Sequence, residues 1–211
     1  MIALDVLLII FLFFLFAFSH TWLASRKLKK ALAEKIGTRI AFYRIFYNIT
    51  SVMFFIVFYS LAPKPDVIIY DLQYPFDLIT FALQVLSLAG LIWSARQTDL
   101  KEFIGIKQLE RFWANNYSPE DLDEKQELKL TGAFKLVRHP IYMFSIMFLL
   151  FRPQMNLFYL TTFICIIMYF YIGSVFEEKK LVDVFGEQYK EYQKNVPRLF
   201  PIKIFNRQEN K

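Results

Sequence analysis

Apolar residues in this chain gather in long runs, and the charges sit in blocks between them. The first 22 residues hold an unbroken apolar run from Val6 to Phe18. At about 1.5 Å per residue, about 20 helical residues cross a hydrocarbon core of about 30 Å. The run therefore predicts a spanning helix. A secretory signal would begin with basic residues and end in a small-residue cleavage site. Here Asp5 precedes the run and Arg26-Lys27-Leu28-Lys29-Lys30 follows it, so the expectation is an uncleaved span. A second span is predicted over Ile40 to Leu61, ended by Pro63-Lys64-Pro65, and a third over Phe76 to Trp93, with Asp77 and Gln84 inside it. Two further segments, Ile141 to Phe151 and Leu157 to Phe176, flank Arg152-Pro153-Gln154-Met155-Asn156 and read as a tight helical hairpin. The first is short for a full crossing unless His139 and Pro140 are included or the helix begins within the protein. Beyond it Leu181, Phe185, Tyr189, Tyr192 and Val196 form one helical stripe, with Asp183, Glu187, Lys190, Glu191 and Lys194 opposite. That pattern predicts an amphipathic helix terminated by Pro197 and Pro201. The fold class expected is an all-α integral membrane protein of about five transmembrane helices. It is read as one domain over 1–211, with three spans in 1–97 and the loop, hairpin and amphipathic helix in 98–211.

Composition supports this class. Of 211 residues, 56% are apolar and 19% aromatic, which excludes disorder. The net charge of +6 could point to nucleic acid or to anionic lipid, but in a membrane chain the placement of charge decides. The loop from Ala24 to Arg44 carries Arg26, Lys27, Lys29, Lys30, Lys35, Arg39 and Arg44 against Glu34 alone, whereas the only basic residue from Pro63 to Pro75 is Lys64. The tail adds Lys179, Lys180, Lys190, Lys194, Arg198, Lys203, Arg207 and Lys211. Five spans with the N-terminus outside place the first loop, the 96–138 loop and the tail in the cytoplasm, as for a bacterial inner-membrane protein. The lipid bilayer, not nucleic acid, is the expected partner. One cysteine, Cys165, excludes a disulfide framework, and two histidines, His20 and His139, leave too few ligands for a typical zinc site.

The polar segments differ in what they suggest. Ser118 to Lys129, with Glu120, Asp121, Asp123, Glu124 and Glu127, reads as a solvated loop. Thr98 to Gln108 continues the third span with helical spacing, and Gly105 marks a place where backbone could approach a ligand. In Thr131 to Tyr142, Gly132 allows a sharp turn and Pro140 suits the first turn of the following helix. Arg138, His139 and Tyr142 then gather at a helix start, beside N–H groups and a positive dipole end that attract a carboxylate or phosphate. Interfacial anchoring by the same three residues is the plainer alternative. Glu177 and Glu178, where the last span leaves the apolar region, need something cationic to meet them, either a ligand or Lys179 and Lys180.

Arg138-His139-Pro140-Ile141-Tyr142, the apolar hairpin, and Glu177-Glu178-x-x-Leu181-x-x-x-Phe185-Gly186-x-x-Tyr189-x-x-Tyr192-x-x-x-Val196-Pro197-Arg198-x-x-Pro201 closely resemble the membrane methyltransferases of the isoprenylcysteine carboxyl methyltransferase superfamily. The resemblance covers about 80 C-terminal residues. Phe103-Ile104-Gly105-Ile106-Lys107-Gln108 and Pro153-x-Met155 look like its methanethiol S-methyltransferase branch. Ser19-His20 through Ser25 and Lys29, with Tyr43-Arg44 and Tyr47-Asn48, look like that branch and the related NnrU-type proteins. The resemblance implies S-adenosylmethionine as cofactor and a site opening to the cytoplasm. By motif position it implies cofactor contacts at Phe134, Arg138, His139, Pro140, Ile141, Tyr142, Glu177 and Glu178, with His139 and Tyr142 catalytic and Gly105 and Gln108 near cofactor or substrate. Two departures stand out: Phe144 replaces the glycine usual two residues after the motif tyrosine, and Gly173 stands where many isoprenylcysteine enzymes carry a second arginine. The latter disfavours a prenylated-cysteine carboxylate. The expected acceptor is a small, lipid-soluble thiol such as methanethiol. The alternatives are a non-catalytic NnrU-like or nurim-like membrane protein, and a lipid, amine or isoprenylcysteine methyltransferase of the same superfamily. Oligomeric state is not legible.

Overall fold

The computed structural model describes residues 1–120, 122 and 127–201. Asp121, Asp123, Glu124, Lys125, Lys203, Arg207 and Lys211 lie outside the described residues. The helices are α1 (Ile2–Ala24), α2 (Arg26–Ile36), α3 (Tyr43–Leu61), α4 (Phe76–Arg96), α5 (Leu100–Ile104), α6 (Ile106–Trp113), α7 (Pro140–Leu150), α8 (Leu157–Phe185) and α9 (Glu187–Asn195). Two short strands, β1 (Ile68–Asp71) and β2 (Gln154–Asn156), pair with each other. The fold is thus all-α apart from one small ladder. Four helical stretches are long and apolar enough to cross a bilayer: Ile2–Ala24, Arg26–Leu61, Phe76–Arg96 and Leu157–Phe185. They mark an integral membrane protein. The other predicted span, α7, is an apolar helix of 11 residues, about 16 Å long, roughly half a hydrocarbon core.

The described residues divide into two compact units. The first comprises Met1–Ile69, Thr98–Gln126 and Asn156–Cys165. Here α1 is apolar on every side and buries only Ile9, Phe13 and Leu23 in protein, leaving Phe11, Phe14 and Phe18 exposed for lipid. It packs on α3 through edge-to-face rings, Phe13 on Phe58 at 5.6 Å and Phe16 on Phe55 at 5.5 Å. A polar clamp joins the same helices: Tyr47 OH lies 2.7 Å from His20 Nε2, and His20 Nδ1 2.9 Å from Ser51 Oγ. The predicted loop between the first two spans is largely helical. Ser25 caps α2, Gly37 ends it with φ +59°, and a 3-10 turn, Gly37–Phe42, leads into α3. Leu32 and Ala33 of α2 pack against Ile40, Ala41 and Tyr117.

Thr98 to Gln108 does not continue α4. Asp99 caps a new helix by accepting the Glu102 N–H at 3.1 Å, and Gly105, at φ +106°, separates α5 from α6. An L-residue is strained at that φ, and a Cβ there would press on Arg44 and Ile45 at 2.9–3.1 Å.

The second unit comprises Tyr70–Gln97, Glu127–Met155 and the described residues from Ile166 onward. In it α7 packs along α4. Gln84 Nε2 donates to the Phe148 carbonyl at 3.0 Å, which settles a polar group inside an apolar helix. The Phe144 ring fills the notch over Gly90, where a Cβ would stand 2.3 Å from the ring. Phe144 is two residues on from Tyr142, so the two point to opposite sides of α7. The bulk that replaces the expected glycine is therefore absorbed by α4, away from the Tyr142 side. The connection after α7 is held by the Tyr70 hydroxyl on the Arg152 carbonyl at 3.1 Å and by the Leu72 N–H on Pro153 O at 3.0 Å.

The last span does not end at Glu177. α8 runs on to Phe185, because Glu, Lys and Leu continue a helix readily after the apolar run stops. Gly186, at φ +56°, then breaks the chain, so the amphipathic stripe belongs to two elements, the end of α8 and α9. Its apolar side is real: Tyr189 and Tyr192 are buried, and Lys190, Glu191 and Lys194 are exposed.

Candidate active site

The site is built where α7 begins. Gly132 takes φ +60° and lies against Gln97, whose Oε1 accepts the Ala133 N–H at 3.1 Å; the turn Gly132–Lys135 follows. The Phe134 carbonyl accepts the Tyr192 hydroxyl at 2.5 Å, and the Phe134 side chain is half-buried. Arg138 and His139 run beside the C-terminal segment: Arg138 N–H donates to Pro197 O at 2.9 Å and His139 N–H to Arg198 O at 3.1 Å. Pro140, buried, opens α7 with no N–H to satisfy, and no side chain caps the helix. Ile141 and Tyr142 complete the first turn.

Glu178 is the hub of this arrangement. It is 2% exposed and accepts from four residues on three separate stretches of chain. Its Oε1 takes Arg138 Nε at 2.7 Å and His139 Nε2 at 3.1 Å. Its Oε2 takes Arg138 Nη2 at 3.0 Å, Gln193 Nε2 at 2.9 Å and Arg198 Nη2 at 3.1 Å. Arg138 spends its remaining reach on the carbonyls of Gln193 (2.9 Å) and Val196 (2.6 Å). A buried carboxylate is tolerated only when ion pairs and hydrogen bonds replace its hydration, and here both do.

Glu177 is placed otherwise. Its side chain is 47% exposed, and no lysine or arginine among the described residues pairs with it. Tyr142 OH donates to its Oε2 at 3.1 Å, and His139 Nδ1 lies 3.5 Å from the same atom. The two adjacent glutamates thus have different surroundings, one inside the protein and one at an open edge. Since Glu178 Oε1 accepts a hydrogen bond, His139 Nε2 carries a proton and Nδ1 faces the open edge. The imidazole lies parallel to the Tyr142 ring at 5.2 Å, which stacks on Phe170 at 4.6 Å. Three flat rings in register fix the plane of the histidine.

Burial of α9 raises the phenols that support the site. Tyr192 is pushed up to about 12, and Tyr189, 5.7 Å from it, is raised further by burial and by the charge of Glu178. Both are neutral at physiological pH, so each acts there only through its ring and its O–H.

Of the residues expected at a site, Phe134, Arg138, His139, Pro140, Ile141, Tyr142, Glu177 and Glu178 fall together in the second unit. Gly105 and Gln108 belong to the first, with a cluster of their own. There Glu102, 4% exposed, receives both terminal nitrogens of Arg111 at 2.9 Å and Gln108 Nε2 at 3.1 Å. Gln193 and Phe170 were not expected at the site, and Arg198 was quoted only as part of a motif. Gln193 had a trace in the sequence, one residue beyond Tyr192 on the stripe. Phe170 had none, because its partner Tyr142 lies in a different helix.

Comparison with known proteins gives partial matches to proteins named methanethiol S-methyltransferase. One from Pseudomonas deceptionensis is 44% identical over 68 residues, 32% of this chain and 26% of that protein. One from Pseudomonas sp. (strain GM41(2012)) is 36% identical over 100 residues, 47% of this chain and 36% of that protein. A methanethiol S-methyltransferase 1 from Bradyrhizobium diazoefficiens is 26% identical over 192 residues, 89% of this chain and 64% of that protein. The chain thus spans between about a quarter and about two thirds of these relatives. No family model matches, and no solved structure does. Taken with the site above, these matches make the chain a distant homologue of proteins named methanethiol S-methyltransferase, consistent with that branch of the membrane methyltransferases.

Proposed function

We propose that this protein is an S-adenosylmethionine-dependent membrane methyltransferase whose acceptor is a small thiol such as methanethiol. The observation that carries this reading is Glu177, a half-exposed carboxylate at the mouth of α7 with no lysine or arginine paired to it among the described residues. A protein that kept only the fold would need Glu178 and its donors, but not an open carboxylate beside a histidine and a tyrosine.

The residues present suit the cofactor's polar groups. Glu177 offers a carboxylate to an ammonium or to ribose hydroxyls. The start of α7 offers backbone N–H at Ile141, with the helix dipole behind it, to a carboxylate. Phe134 and Phe170 offer aromatic rings to a base or an alkyl chain. When bound, S-adenosylmethionine supplies an electrophilic methyl group on sulfonium sulfur.

The chain's own part in the reaction is to bind and to position, and fixed orientation is worth a large share of such a barrier. Arg138, Gln193 and Arg198 hold Glu178, which holds His139 through Nε2–H. His139 Nδ1 is left as the atom that accepts the thiol proton at the open edge, and Tyr142 OH fixes the Glu177 carboxylate beside it. Apolar surroundings strip water from a thiolate and favour its attack. The N-terminus outside and the tail in the cytoplasm complete the proposal, following from the lysine and arginine distribution. The test is transfer of labelled methyl from S-adenosylmethionine in detergent to a panel of thiols, amines and lipids. Transfer to small thiols supports the reading; transfer to amines or lipids alone reassigns the substrate, and transfer to none removes the enzyme.

A further inference from the structure

The first unit carries a strongly charged surface that this function does not use. α2 begins one residue after α1 ends, with only Ser25 between them. Its inner side, with Leu32 and Ala33, is packed on the Ile40, Ala41 and Tyr117 cluster, and Lys29 is buried. By helical geometry Arg26, Lys27, Lys30 and Lys35 fall within the other half of the circumference, and all four are exposed. Arg39, in the turn that follows, is exposed too, and Glu34 is the lone acid of this stretch. None of these five cations has an ion-pair partner among the described residues.

Some exposed cations elsewhere are neutralised locally. On α9, Lys190 pairs with Glu187 at 2.6 Å and Lys194 with Glu191 at 3.2 Å; on α6, Lys107 pairs with Asp99. The α2 face and the turn after it gather five exposed cations between residues 26 and 39, and α2 sits at the end of a membrane-length apolar helix. One turn before the junction Trp22 is 54% exposed, an aromatic of the kind that marks the level of lipid headgroups.

We propose that this face of α2 is a docking surface for the headgroups of anionic phospholipids. A packed inner side holds it rigid, the junction with α1 holds it at headgroup level, and its positive charge, unpaired among the described residues, matches phosphate diesters of a bilayer. This inference does not rest on the methyltransferase reading.

The test uses the full chain in phosphatidylcholine bilayers, with Trp93→Phe and Trp113→Phe so that Trp22 alone reports. Brominated phosphatidylglycerol should quench Trp22 with an apparent affinity about fivefold or more above that of brominated phosphatidylcholine. The preference should fall below about twofold in Arg26→Gln/Lys27→Gln/Lys30→Gln, and also without those three changes at about 1 M salt, where the Debye length is about 3 Å. Lys190→Gln/Lys194→Gln should keep it, and millimolar inorganic phosphate should not compete. Equal quenching by the two lipids, no quenching by either, a preference that survives both the triple variant and salt, or competition by free phosphate would each overturn the proposal.

Discussion

Glu177 and Glu178 are neighbours in sequence with opposite duties, and their variants should separate accordingly. Glu178→Ala leaves two guanidinium groups and an imidazole N–H without the carboxylate they share, and breaking a buried ion pair typically costs about 3–5 kcal/mol. Denaturation in detergent without cofactor should show that loss, whereas Glu177→Gln should unfold like the parent. Equal destabilisation by both would mean that the open carboxylate is structural. The sequence could place this pair at the end of an apolar run but could not divide it. The division depends on which way α8 is turned when it continues past Phe176, and on donors from Gln193 and Arg198 that arrive from the tail. The phenols behind the site make a second prediction at this scale. Tyr192 has its ionisation raised to about 12, mainly by burial, against about 10 when unfolded. Below pH 10 both states are protonated and the residue adds no pH dependence. Between about pH 10 and 12 the unfolded chain loses the proton first, so stability falls as pH rises. Tyr192→Phe should shallow that alkaline decline while costing about 1 kcal/mol for the lost bond to Phe134 O. An alkaline limb identical in the variant would refute it.

At the scale of elements, the α4–α7 contact is set by one glycine and one phenylalanine. Gly90→Ala puts a methyl group into the Phe144 ring and should destabilise by about 1–3 kcal/mol, the usual range for overpacking. Adding Phe144→Ala should recover part of that loss even though each change alone is harmful; a purely additive double variant would show that the notch is not the cause. The membrane-length helices α1, α3, α4 and α8 were legible as apolar runs, because run length maps directly onto bilayer thickness. What the runs conceal is where a helix stops. α8 outlasts its apolar signal by nine residues, from Glu177 to Phe185, and the charged segment after α1 is helix rather than loop. Hydropathy reports burial in lipid, while helix continuation follows propensity and capping, here Ser25, Asp99 and the positive-φ glycines 37, 105 and 186. The β1–β2 ladder left no trace, since its few residues around Pro153 carry no alternating pattern.

Across the whole molecule the account joins a membrane orientation to a cofactor site, and each can be tested alone. With Cys165→Ser as background, Lys30→Cys and Lys190→Cys should resist a membrane-impermeant maleimide added to intact cells, and Gln73→Cys should react. The reverse pattern would invert the proposed topology. The most direct test of the central claim is a calorimetric titration of S-adenosylmethionine into the purified protein and into Glu177→Gln. The account predicts saturable binding by the parent and at least about tenfold weaker binding by the variant, a difference of about 1.4 kcal/mol, with unchanged unfolding temperature in the absence of cofactor. Equal affinity in the two proteins, or no binding by the parent, would contradict it.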